Sequence, residues 1–200
     1  MNRTECQKYW ENPTDHNKAE NYLDSPETLL RTSYLVHKIK NRFQSRATSI
    51  LELGCNVGRN LNGLFSVGYH RLSGIDGNKH ALELTPDAYP ELFLAGTFHN
   101  HLLEDALPEI PDDSYDLVYT MAVLIHIHPD SEIIFEHMRR IAKKGIITIE
   151  LEIPCKNPRI FTRDYQSVFE RDNWKQRDSE IVGDKADAAL SKYTYRLFKK

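Results

Sequence analysis

The feature that most constrains this chain is a loop with two glycines at residues 54–58, between an apolar segment and an amphipathic one. Residues 49–53 predict a short strand, and residues 61–69 have the spacing of a helix. Glycine lets a backbone turn sharply and approach a ligand closely, and the helix that follows offers free N–H groups. The loop therefore predicts a nucleotide-like ligand at the end of a strand.

Strands and helices alternate along the rest of the chain, which predicts an α/β fold with a parallel sheet covered on both faces. The first helix begins at Ser25, since Ser25 can cap it and Pro26 suits its first turn, and it fades near residues 44–48. Two polar–apolar alternating segments at the end predict an antiparallel pair. The other predicted strands cover 71–76, 96–100, 145–153, 174–182 and 193–200, and residues 114–124 predict a strand followed by a turn. The other predicted helices cover 78–92, 129–144 and a stretch after Thr162.

The spacing of the glycines in the loop limits the kinds of ligand that it can bind. A dinucleotide fingerprint needs a second glycine where Asn56 stands, and no GK[ST] follows as a phosphate-binding loop requires. Asp76 ends the next predicted strand, where a carboxylate can accept hydrogen bonds from both hydroxyls of a ribose. Together these residues favour a ligand that has a ribose and an adenine but no phosphates.

Composition excludes several classes of protein. A formal charge of −3 argues against a nucleic-acid binder, and three widely spaced cysteines exclude a disulfide scaffold or a zinc finger. We find no apolar run long enough for a signal peptide or a membrane span. A cytoplasmic protein without membrane partners is therefore the expectation, and the oligomeric state stays open.

The segments ILELGCNVGRNL, LSGIDGN and LPEIPDDSYDLVYTMAVLIHIHPD together resemble class I S-adenosylmethionine-dependent methyltransferases. The closest resemblance is to small enzymes with a G-x-N-x-G loop, such as the pseudaminic acid biosynthesis-associated methylases. The resemblance implies a doubly wound, Rossmann-like sheet of seven strands, mostly parallel, with an antiparallel C-terminal hairpin. It implies S-adenosylmethionine as cofactor, S-adenosylhomocysteine as product, and a small-molecule or sugar acceptor.

The same resemblance assigns cofactor contacts by position. Glu52 supports the first loop, Asp76 holds the ribose, and Gly77 lies beside the adenine. Further contacts fall to Gly54, Cys55, Asn56 and Gly58 along the methionine part, to His101 and Leu102 beside the adenine ring, and to Thr120 and Met121 under the sulfonium. Arg31 is a candidate partner of the methionine carboxylate, with a solvated helix charge as the alternative.

Two His-x-His pairs, at 99–101 and 126–128, raise the question of a metal site, but no carboxylate or cysteine stands with them at ligand spacing. We therefore predict no metal. His126 follows the fourth strand, where an imidazole can take a proton from an attacking hydroxyl or amine. The alternative is that His126 packs beneath the cofactor or orders the loop.

Residues 1–24 form either a tail or a lid, and residues 25–200 form a single methyltransferase domain. The leading function is methyl transfer to an oxygen or nitrogen nucleophile. One alternative is a non-catalytic S-adenosylmethionine-binding subunit that stabilises a partner. Another is a nicotinamide-dependent oxidoreductase, which the missing dinucleotide fingerprint disfavours.

Overall fold

A computed structural model describes all residues of the protein, 1–200. Seven strands form one sheet in the order β3-β2-β1-β4-β5-β7-β6. The strands are β1 Ile50–Leu53, β2 Leu72–Asp76, β3 Thr97–Asn100, β4 Tyr115–Met121, β5 Ala142–Leu151, β6 Lys175–Ile181 and β7 Tyr193–Lys199. The helices are α1 Arg3–Glu11, α2 Pro26–Arg42, α3 Arg59–Ser66, α4 Lys79–Ala88, α5 Pro90–Ala95, α6 Leu103–Glu109, α7 Ile133–Ile141 and α8 Tyr165–Phe169.

The predicted fold class is confirmed. Strands β1 to β5 pair in parallel, and β7 pairs antiparallel with both β5 and β6. The C-terminal strands therefore form the expected hairpin, with the last strand inside the sheet and β6 at its edge. From β1, the chain first adds β2 and β3 on one side and then β4 and β5 on the other. Doubly wound sheets bind ligands at such a reversal, here between β1 and β4.

Successive side chains of the central strands point to opposite faces of the sheet and belong to two separate hydrophobic cores. Ile50 packs with α2 to α5 on one face of the sheet, while Leu51 packs with α6 to α8 on the other. Both residues are fully buried. At about 25 cal/mol per Å² of apolar surface, this burial is the main term that holds the helices on the sheet. None of the eight helices combines the length and the apolar character that crossing a lipid bilayer would require.

Several predicted boundaries are wrong. The helix expected over 78–92 is two helices, because Pro90 disfavours helical backbone at Tyr89, which adopts φ −139°. The helix expected over 129–144 ends at Ile141, and Ala142 already pairs with Tyr115 in the sheet. The helix expected after Thr162 is reduced to the five residues of α8. The first helix begins at its predicted Ser25 cap and ends at Arg42.

Residues 1–24 are folded. Helix α1 is followed by two short 3-10 turns, and Asn2 caps α1 by accepting a hydrogen bond from the Glu5 N–H. The Arg59 guanidinium donates to the Tyr22 carbonyl at 2.9 Å, and the Tyr89 hydroxyl donates to Asp24 at 2.8 Å. These two bonds attach the N-terminal segment to the body of the protein.

Candidate active site

A cavity of about 500 Å³ lies at the carboxyl ends of β1, β2 and β4, and the N-terminal segment forms its opposite wall. Parallel strands end at the same edge of a sheet, so loops that are far apart in sequence meet there. Most of the predicted site residues line this cavity: Arg31, Glu52, Gly54, Cys55, Asn56, Asp76, Gly77, Leu102, Met121 and His126.

Three predicted residues do not line the cavity. Gly58 is buried and forms the N-cap of α3. His101 is exposed outside the cavity. Thr120 is fully buried in β4, and strand alternation turns its side chain to the opposite face from Met121, which does reach the cavity. The cofactor contacts assigned to these three residues stay predictions.

The Asp76 carboxylate holds two cavity loops together. Its Oδ2 accepts a hydrogen bond from the Asn56 N–H at 2.7 Å, and its Oδ1 accepts one from the Asn78 N–H at 2.8 Å. Burial raises the pKa of Asp76 to about 6, although both N–H groups oppose this shift. Each carboxylate oxygen has a second lone pair, so Asp76 can hold the loops and still accept from a ligand.

The loop itself turns through left-handed backbone, as its sequence predicts. Gly54 has φ +71° and Asn56 has φ +48°, a conformation that asparagine tolerates better than most residues. The Asn56 Oδ1 accepts a hydrogen bond from the next N–H, that of Val57, at 2.9 Å. The Gly54 and Cys55 N–H groups donate to the Ile75 carbonyl. Burial raises the pKa of the Cys55 thiol well above its ordinary value, so this cysteine is no nucleophile.

Glu52 places a buried carboxyl group in the cavity wall. Its Oε1 accepts a hydrogen bond from the Asn60 side chain at 2.8 Å, and the buried Tyr119 hydroxyl also interacts with the carboxyl group. Burial raises the pKa of Glu52 to about 8, although both neighbours oppose this shift. The carboxyl group therefore favours its neutral form in the ligand-free protein.

A second buried carboxylate, absent from the sequence-based predictions, fixes the turn after β4. Both oxygens of Glu150 accept the Val123 N–H at 3.1 Å, and Oε2 also accepts the Ile125 N–H at 3.3 Å. Burial raises the pKa of Glu150 to about 7 against the effect of these donors. This turn carries His126, so Glu150 positions the predicted base.

The His126 imidazole has a defined tautomer. Its Nδ1 lies 2.8 Å from the Arg159 carbonyl oxygen, which can only accept, so Nδ1 carries the hydrogen and Nε2 carries the lone pair. Burial, assisted by the charge of Arg159, lowers the pKa of His126 to about 4. The imidazole is therefore neutral at physiological pH with a free lone pair on Nε2, and the low pKa makes it a weak base in the ligand-free protein.

The N-terminal helix covers this imidazole. The Trp10 and His126 ring centroids are 4.2 Å apart, and the Gln7 amide donates to Glu104 at 3.0 Å. The Arg159 guanidinium lies 4.2 Å from the centre of the Tyr9 ring. In the sequence, isolated aromatic residues in a polar segment are the one signal for this arrangement.

Arg31 lines the cavity but already has a partner. Its guanidinium forms a hydrogen-bonded ion pair with Asp187, which lies far along the chain, so a methionine carboxylate would share it. No group of three or more His, Cys, Asp or Glu side chains is arranged to hold a metal ion. The protein groups that converge on the cavity are therefore hydrogen-bonding and aromatic.

Comparison with known proteins agrees with this geometry. Residues 51–149 match the family model described as a methyltransferase domain. "O-methyltransferase rstn1" of Aspergillus nomiae is 26% identical over 79% of this chain and 68% of its own length. An "O-methyltransferase" of Pyrenophora dematioidea is 23% identical over 75% of this chain, which spans about half of that relative, 55%.

Among solved structures, the magnesium protoporphyrin IX methyltransferase of Synechocystis PCC 6803, with bound S-adenosylhomocysteine, superposes with a TM-score of 0.76. The two chains are 13% identical and each is covered over 98% of its length, so they share the fold. Residues 51–149, about half of the chain, match the methyltransferase domain family, and the whole chain has the fold of this solved methyltransferase. The pseudaminic acid-associated subgroup stays a prediction.

Gly54→Ala tests how closely the first loop packs on the turn after β4. A Cβ at Gly54 would overlap the Val123 side chain in addition to straining φ, so we expect a loss of about 3 kcal/mol in the free energy of unfolding. Gly183→Ala is the matched control, because Gly183 has φ +57° with no atom within 4 Å of an added Cβ. It should lose only about 1 kcal/mol in urea denaturation. Equal losses would contradict the packing argument.

Glu52→Gln tests the burial of a carboxyl group. The unfolded pKa of a glutamic acid is about 4.3, and the folded value of Glu52 is about 8. The native state therefore binds this proton more tightly, and its contribution to stability falls as pH rises between those values. We expect wild type to lose stability relative to Glu52→Gln from about pH 5 to about pH 8, in urea denaturation without ligand. A difference that does not change with pH would contradict the burial of this carboxyl group.

Proposed function

We propose that this methyltransferase transfers a methyl group to a hydroxyl oxygen of a small-molecule acceptor, with Nε2 of His126 receiving the proton. The observation that carries the proposal is the neutral imidazole, with its lone pair on Nε2, in the same cavity as the 54–58 loop and Asp76. The two fungal relatives named as O-methyltransferases favour oxygen over nitrogen. A sugar acceptor, suggested by the sequence resemblance, stays a more specific prediction within this class.

The residues of the cavity fit S-adenosylmethionine. Asp76 offers acceptor lone pairs for ribose hydroxyls, and Leu102 and Gly77 provide a surface for the adenine. Glu52 provides a carboxyl group in the cavity wall on the side of the first loop, where the methionine part would lie. When bound, the cofactor supplies an electrophilic methyl group on a positively charged sulfur.

The protein's own task is alignment, proton removal and exclusion of water. The protein would hold the acceptor oxygen in line with the methyl group that the cofactor supplies, and S-adenosylhomocysteine would be the product. The hydroxyl proton moves to Nε2 of His126, while Nδ1–H stays bonded to the Arg159 carbonyl. We use acceptor side for the part of the cavity next to His126. Helix α1 would close this side, because Trp10 already packs on the imidazole.

Calorimetric titration with S-adenosylmethionine, S-adenosylhomocysteine and NAD tests the cofactor class directly. Micromolar binding of the first two without NAD binding is the expected result. Cofactor binding without turnover of any acceptor would favour the non-catalytic partner subunit. Binding of NAD alone would contradict the proposal.

Asp76→Ala should weaken S-adenosylhomocysteine binding by about 1–3 kcal/mol, because charge-assisted hydrogen bonds to the ribose are lost. The substitution also frees the Asn56 and Asn78 N–H groups, so a control must reproduce that structural effect. Asp116→Ala does so, since Asp116 accepts the Ser49 N–H at 3.0 Å outside the cavity. Calorimetry should find unchanged affinity in the control, and unchanged affinity in folded Asp76→Ala would remove the ribose assignment.

His126→Ala should leave cofactor affinity within about tenfold of wild type and lower kcat by about 10²-fold or more, the scale of a lost general base. His126→Asn retains a side-chain N–H for the Arg159 carbonyl but has no basic nitrogen, so it should be equally slow. His37→Ala, on the exposed side of α2, is the control for loss of an imidazole. Full turnover in either His126 variant would refute the base role.

A further inference from the structure

The arginines that line the cavity differ in their ion-pair and hydrogen-bond partners. Arg31 is paired with Asp187, and buried Arg59 donates to Thr32 and to the Tyr22 carbonyl. Arg159 also lines the cavity and forms no ion pair, and its guanidinium lies 4.2 Å from the centre of the Tyr9 ring. It is therefore an arginine of the cavity wall without a counter-ion in the protein.

Glu104 also lines the cavity, and its carboxylate already has hydrogen-bond partners within the protein. Glu104 Oε1 accepts hydrogen bonds from the Gln7 amide at 3.0 Å and from the Ser131 hydroxyl at 2.8 Å. It thus fastens α1 to the wall of the cavity. The side chains of Arg3 and Arg159 leave an excess of positive charge at this end, since Arg3 also lines the cavity and has no ion pair.

Arg159 lies on a segment that is fixed to the catalytic turn. The Arg159 carbonyl accepts from His126, and the Phe161 N–H donates to the Ile125 carbonyl at 2.6 Å. The Arg163 guanidinium adds bonds to the Leu124 and Ile127 carbonyls. The backbone at Arg159 is therefore tied to the turn that carries the imidazole, so both residues belong to the same part of the cavity wall.

We infer that the acceptor carries a carboxylate group, which the Arg159 guanidinium binds while the acceptor hydroxyl faces His126. The inference deepens the proposed function and rests on it. A planar guanidinium offers two parallel N–H donors that match a carboxylate. An anion beside Arg159 would also offset the charge that opposes protonation of His126, so recognition of the acceptor would assist removal of its proton.

The test uses matched acids and amides: salicylate with salicylamide, and para-hydroxybenzoate with para-hydroxybenzamide. Binding to the complex of the full-length protein with S-adenosylhomocysteine is followed by ligand-observed NMR, and methyl transfer by formation of S-adenosylhomocysteine from S-adenosylmethionine. We expect the acids to bind about 10- to 100-fold more tightly than the amides. Arg159→Gln should abolish this preference, and Arg159→Lys should retain part of it.

Arg177→Gln is the matched control, because Arg177 is exposed on edge strand β6 and outside the cavity. It should keep the wild-type preference. Equal binding of acids and amides, a preference that survives in Arg159→Gln, or failure of every acid to bind at millimolar concentration would overturn the inference. A methylated product that alkali hydrolyses would also overturn it, since the carboxylate would then be the nucleophile. Failure of the wild type to bind S-adenosylhomocysteine would instead count against the proposed function.

Discussion

The site depends on one carboxylate that accepts backbone hydrogen bonds from two loops. Asp76 bonds the Asn56 N–H of the first loop and the Asn78 N–H of the second, which joins the ends of β1 and β2. The left-handed turn at Gly54 and Asn56 sets the direction of the first loop, and α3 begins where that loop ends. Glu150 repeats the same device at the end of β5, where it fixes the turn that carries His126. The cavity is thus organised by buried carboxylates that satisfy backbone groups.

These carboxylates leave the ligand-free site electrostatically unbalanced. Burial raises the pKa values of Glu52, Asp76 and Glu150, so the ionised form of each carboxyl group is costly in the ligand-free protein. At the other end of the cavity Arg159 has a charge without a counter-ion. Such groups cost folding energy unless a ligand compensates them. A ligand with an amino group at one end of the cavity and an anionic acceptor at the other would satisfy both, which links the proposed cofactor and acceptor to the same electrostatic pattern.

The sequence contains enough information for the fold and for the first loop, because both depend on local signals. The glycine spacing, the strand alternation and Asp76 lie within 30 residues of each other. The residues on the acceptor side of the cavity could not be predicted from such local signals. Trp10, Glu104, Glu150 and Arg159 meet only through tertiary packing, and no spacing rule connects them. Thr120 and Met121 were predicted together, because a strand pattern does not reveal which face of β4 reaches the cavity, and Met121 is the one that lines it. Helix boundaries failed where proline or strand pairing overrode helical periodicity.

The position of β7 between β5 and β6 has a consequence for how the chain folds during synthesis. Strand β6 pairs with no strand other than β7, and β5 has β7 as its second neighbour. Leu197 and Phe198 of β7 also enter the two cores on opposite faces of the sheet. On the ribosome, β1, β2 and β3 can pair with one another in the order in which they emerge, because they are neighbours in the sheet. β6 must wait without a partner until residues 193–199 have left the exit tunnel, so the protein completes its sheet only after its last strand is free.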